Sequence, residues 1–145
     1  MDVLTPEAFL AAYPPEIGEA ADRLRAHVRG TVPNSVERVR PGWRVIGYDL
    51  PVGRRTVYFA YVAPEAVHVH LGFEHGTSMS DPGRLLEGAH LGLRRVRYLT
   101  FTAGQEILES ALIPLIREAA RVTMLTRQER SALAFDREWT PQARP

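Results

Sequence analysis

The sequence predicts an α+β fold, an antiparallel β-sheet of about five strands with N- and C-terminal helices packed on one face. Three observations lead there. Apolar residues recur at three- and four-residue steps between Glu16 and Val28, as on one helix face. From Val36 to Phe73 the pattern changes to alternation broken by short turns, and strands joined by so few residues pair antiparallel. A second helical pattern then follows a last strand near Phe101.

Taken in order, Thr5 is placed to cap a first helix with Pro6 at its first position. Pro14-Pro15 break that helix, and Pro15 starts the next. There Ile17, Ala20 or Ala21, Leu24 and Val28 share a face; Gly30 stops the helix before a turn at Pro33-Asn34-Ser35. "VERVRPGWRVIGYDL" reads as two strands around Pro41-Gly42, and Pro51 to Gly53 form the next turn. "RRTVYFAYVA" is an apolar strand, Ala63-Pro64-Glu65 a tight connection and "AVHVHLGF" a further strand. In the latter, Val67, Val69, Leu71 and Phe73 are expected in the core, with His68 and His70 opposite. The Thr56–Ala63 strand offers two alternating sets, and either can join the histidines.

In "GTSMSDPGRLLEGAHLG", Asp81 and Pro82 are placed to start a short helix through Leu85 and Leu86 that Gly88 ends. "LRRVRYLTF" returns to a strand, with Arg95 and Arg97 on a shared face. Thr102 and Gln105 form a capping box opening a helix through Ile107, Leu112, Ile116 and Val122, which Pro114 should kink or divide. Residues 1–125 are thus expected as one domain, and residues 126–145 as a polar extension, partly helical or frayed.

Composition narrows the chemistry. The 145 residues carry a net charge near +1, which gives no electrostatic case for nucleic acid or a membrane as partner. No apolar run is long enough to span a bilayer, and the acidic start lacks the layout of a signal peptide, so a cytoplasmic location is expected. The chain has no cysteine, hence no thiol nucleophile or thiolate metal site. All 18 basic residues are arginine, which removes Schiff-base chemistry and the phosphate-binding-loop lysine.

Three of the five histidines fall between His68 and His75. A His-x-His pair on one strand face can hold a metal if a third ligand approaches, and His75 beyond Gly72 is a candidate. The same pair can equally occupy an open sheet face or contact an organic ligand. Trp43 and Tyr48 would bring aromatic surface nearby, suited to a shallow pocket or to a homodimer seam. Arg94, Arg95 and Arg97 with Arg38, Arg40 and Arg44 would form either an anion site or a solvated edge that discourages strand-to-strand association. Nucleophile-elbow, zinc-protease and dinucleotide-binding motifs are absent.

The segments "FLAAYPPEIGEAADRLRAHVRGTVPNSVERV", "VYFAYV", "HVHLGF", "DPGRLLEG" and "LRRVRYLTF", in that order, resemble the YdhG-like family of domains of unknown function. The resemblance spans about residues 5–122. It implies a frataxin-like α+β domain and, by analogy, an iron chaperone. Frataxin-type iron binding uses a dense acidic ridge along the first helix, where this chain offers Glu7, Glu16, Glu19 and Asp22, interleaved with Arg23, Arg25 and Arg29. Relatives carry a basic residue after Leu-Leu-Glu-Gly, where this chain offers His90, Arg94 and Arg95.

The expected function is a non-enzymatic domain that binds a small ligand or a protein partner on its sheet, through Trp43, Tyr48, His68, His70, Arg94 and Arg95, with no cofactor. One alternative is an iron-binding chaperone, with His68, His70 and His75 or Glu16, Glu19 and Asp22 as ligands. The other is an enzyme of undetermined class.

Overall fold

The computed structural model describes residues 3–138. Helix α1 (Pro6–Leu10) starts as its sequence requires, with the Thr5 hydroxyl accepting from the Ala8 amide at 3.1 Å. Helix α2 (Pro15–Thr31) buries Ile17, Ala20, Ala21, Leu24 and Val28, the face that its spacing marks out. Five antiparallel strands follow as a meander: β1 (Val36–Arg40), β2 (Val45–Val52), β3 (Arg55–Pro64), β4 (His68–Phe73) and β5 (Arg97–Thr102). Their spatial order is their chain order, so β1 and β5 are the two edges.

Register sorts the side chains. Ile46, Val62, Leu71 and Leu99 lie opposite one another across four strands, and all are buried. Helix α2 touches β3, β4 and β5, and helix α3 (Glu109–Thr123) touches α2 and β3. Ile116, Ala119 and Val122 of α3 join the strand residues in one apolar cluster. The other set of strand positions carries Tyr61, Gly72 and Tyr98 in one row and Ala63, His70 and Thr100 in the next.

A shift of register after Tyr48 decides the fate of β3. Tyr48 pairs with Ala60 and Asp49 with Tyr58, which leaves Phe59 as the extra residue of a bulge. Tyr58 and Tyr61 therefore line one cavity, while Phe59 and Ala60 are fully buried. Neither alternating set of the Thr56–Ala63 strand survives intact. Ala63 and Tyr61 join the histidine side, and the bulge adds Tyr58 to it.

A charged knot ties α1, α2 and the sheet together. Arg25, only 7% exposed, donates to Glu37 at 3.0 and 2.9 Å, to Asp22 at 2.8 Å and to Glu7 at 2.9 Å. The Tyr48 hydroxyl donates to the same Glu37 carboxylate at 2.7 Å. Burial pushes the Glu37 carboxyl up, but Arg25 and Tyr48 together hold it below its ordinary value. Burial and the Glu37 carboxylate keep the Tyr48 hydroxyl protonated.

Three expected local structures differ. Val67 is 68% exposed instead of buried, because it sits in the turn closed by the Glu65 amide donating to the His68 carbonyl at 2.9 Å. Asp81 does accept from the Leu85 and Leu86 amides, but Arg84 adopts a φ of 52°, so the segment closes as a turn and no helix propagates. Thr102 donates from its amide to the Gln105 side chain at 2.9 Å, yet Gly104 at φ 79° leads the chain away and α3 begins only at Glu109. Helix α3 is a single segment with Pro114 inside it, so of the two outcomes expected there, a kink or a division, the division does not occur.

Beyond Leu125, helix α4 (Arg127–Glu138) is capped by Thr126 and Glu129 and touches the turn Gly76–Ser78. The extension is thus helical as far as it is described, and its last residues, 139–145, lie outside the described part. Among the described residues no helix is long and apolar enough to cross a membrane.

Candidate metal centre on the sheet face

The turn between β3 and β4 builds the site. Pro64 ends β3, and the Glu65 to His68 hydrogen bond folds Glu65 back over the start of β4. The Glu65 carboxylate then meets both histidines, Oε2 lying 2.7 Å from His68 Nε2 and Oε1 3.7 Å from His70 Nε2. One ligand atom from each of Glu65, His68 and His70 lies within 4.8 Å of the others. The two rings stand edge to face at 4.7 Å, as strand neighbours two residues apart allow.

A second set of groups fixes how His70 is presented. Its Nδ1 is 3.0 Å from the Thr100 hydroxyl, which donates to Glu87 Oε1 at 3.1 Å. The Thr100 amide donates to Glu87 Oε2 at 3.0 Å, and backbone bonds between Glu87 and Tyr98 hold the glutamate beside the β5 edge. A carboxylate oxygen only accepts, so the single hydroxyl proton of Thr100 goes to Glu87. Thr100 can then only accept from His70, which carries its proton on Nδ1 and turns the Nε2 lone pair toward Glu65. The Tyr98 ring, 5.0 Å away and edge-on, braces the imidazole. Burial chiefly holds the His70 imidazolium below its ordinary pKa, against the opposing pull of Glu65.

Two imidazole nitrogens and one carboxylate are three donors, fewer than the four that a zinc ion takes, so an ion held here would draw its remaining ligands from outside the group. This donor set suits divalent Fe, Zn, Ni or Cu. A carboxylate–hydroxyl–imidazole chain behind a ligating nitrogen is what sets the tautomer in such centres. His68 and His70 are half-buried and Glu65 is exposed, so the group is reachable from solvent.

The remaining expected site residues fall elsewhere. His75 does not approach His68 and His70; Glu65 supplies the third donor. The one signal for it in the sequence is Glu65-x-x-His68 across a predicted tight connection. Glu16 and Glu19 are exposed on α2 and Asp22 is engaged by Arg25, so none joins a metal-type cluster. Tyr48 is fully buried on the core side with Glu37 and is not part of the histidine face.

Trp43 is exposed at the β1–β2 turn, edge-on to Tyr58 at 5.7 Å and beneath the Arg40 guanidinium. With Tyr58, Tyr61, Glu74 and Arg95 it lines a cavity of about 470 Å³. There burial pushes the Glu74 carboxyl up, while Arg95 at 3.3 Å opposes it.

The six arginines do not cluster on adjacent strands, because β1 and β5 are opposite edges. Arg38 and Arg40 pair with Asp49, and buried Arg97 donates to the carbonyls of Leu93 and Val96. Arg94 and Arg95 precede β5 and line a second cavity, and Arg95 borders the Trp43 cavity as well. Compared with family models, curated proteins and solved structures, the chain matches none.

Proposed function

We propose that the sheet face opposite the core is the working surface of a non-enzymatic binding domain, and that its ligand is a divalent transition metal held by Glu65, His68 and His70. The observation that carries this reading is the convergence of the three donors with a His70 tautomer set from behind by Thr100 and Glu87. The resemblance to the YdhG-like family supports the iron-chaperone form of the reading and makes Fe(II) the first metal to test, although the ligands differ from both sets expected from sequence. Isothermal titration with Fe(II) under anaerobic conditions, and with Zn(II), should show saturable binding that His68→Ala/His70→Ala abolishes. No heat with either metal would sink the proposal.

One observation favours a second reading on the same face, an organic ligand or protein partner seated against Trp43, Tyr58 and Tyr61. The cavity there combines apolar rings with the Glu74–Arg95 pair, the composition of small-molecule sites. Size-exclusion mass at micromolar concentration separates a homodimer seam from a free pocket: a strict monomer rules out the stable dimer.

A further inference from the structure

We propose that a second site, between the β4–β5 loop and α4, binds a phosphorylated small molecule through Arg94, Arg95, Arg127 and Arg130. The cavity there measures about 920 Å³, within the range of small-ligand sites, and His75 and Thr77 complete its wall. It is distinct from the metal centre, with which it shares no residue.

Its charge is one-sided. Two arginines come from the loop before β5 and two from the first turn of α4. Arg95 is paired with Glu74 at 3.3 Å, while the guanidinium groups of Arg94 and Arg127 have no acidic partner among the described residues. Guanidinium groups present planar donor forks that match phosphate oxygens, and several together favour a dianion over a single carboxylate.

The walls are fixed from behind. Arg130 donates to the carbonyls of Thr123 and Leu125, and its own carbonyl accepts from the Ser78 hydroxyl at 2.8 Å. Thr77 donates to the Arg94 carbonyl at 3.1 Å, which holds the loop that carries Arg94. Burial and the nearby Arg130 and Arg95 press the His75 pKa down to about 4, so at neutral pH the ring is an uncharged hydrogen-bonding group among cations. Among the described residues no Phe, Tyr or Trp lines the cavity, so it lacks the broad ring on which a nucleic-acid base stacks best. This favours a phosphate on a small polar carrier over a nucleotide or a nucleic-acid strand.

The test is isothermal titration of the full chain with inorganic pyrophosphate and with glycerol phosphate, in buffer containing a chelator so that the metal centre takes no part. Saturable binding is expected, weakened by about tenfold or more in Arg94→Ala/Arg127→Ala. Arg54→Ala/Arg55→Ala at the β2–β3 turn removes the same charge away from the cavity and should bind like the parent. Absence of saturable binding to both probes, or equal loss in the two double variants, overturns the proposal. Tighter binding of a single-stranded oligonucleotide than of pyrophosphate overturns the small-molecule assignment.

Discussion

His70 and Thr100 face each other across the β4–β5 pair, with Nδ1 3.0 Å from the hydroxyl oxygen that in turn donates to Glu87. This pairing converts a strand histidine into an oriented ligand. Thr100→Val keeps the shape of the side chain and the amide bond to Glu87 but removes the acceptor for His70. Metal affinity by titration should fall about 10- to 100-fold, with the thermal midpoint little changed. Unchanged affinity would show that the Thr100–Glu87 chain plays no part in binding.

The Arg25–Glu37 pair predicts a stability effect independent of any ligand. Arg25→Met removes the nearest cation and leaves the largely buried Glu37 carboxylate with Tyr48 and the more distant Arg29 at 3.9 Å. Breaking one side of a buried pair costs about 3–5 kcal/mol, measurable by urea unfolding. Arg25→Met/Glu37→Gln should recover part of that loss, because the second change removes the charge that Arg25 no longer balances.

Gly72 lies opposite Tyr61, whose ring covers it so closely that an added Cβ would come 1.9 Å from the ring carbon Cζ. Gly72→Ala must displace the Tyr61 ring, at a cost of about 1–3 kcal/mol. In Tyr61→Ala the obstacle is gone, so a double-mutant cycle should show strong coupling. Additive effects would mean that the ring does not rest on Gly72.

The depressed His75 pKa fixes a pH dependence. The folded state holds the ring near pKa 4 against an ordinary value of 6.5, so the unfolded chain binds more protons between those values. The contribution to stability is complete above about pH 6.5 and is lost as pH falls toward 4. His75 is only half-buried, so solvent screening leaves on the order of 1–2 kcal/mol. Urea midpoints measured across this window should flatten in His75→Gln.

The fold was largely legible because its signals are local. Thr5-Pro6, the Ile17–Val28 face and the alternation of β4 each specify structure within a few residues. What was not legible depends on partners distant in sequence or on one backbone angle. The bulge that brings Tyr58 beside Tyr61 follows from pairing with β2. A positive φ at Arg84 and at Gly104 turns two good helix-start signals into isolated turns. For the site, His68 and His70 followed from strand alternation. Glu65 read as a mere connection, and Glu87 reaches His70 only through Thr100 on β5.

The central claim is that Glu65, His68 and His70 hold one metal ion together. Cobalt(II) titration followed by visible absorption tests it most directly, since ligand-field bands report the donor set. The account predicts saturation at about one ion per chain, with the bands lost in Glu65→Gln and in His68→Ala/His70→Ala but retained in His75→Gln. Bands that survive both site variants, or vanish with His75→Gln, would contradict it.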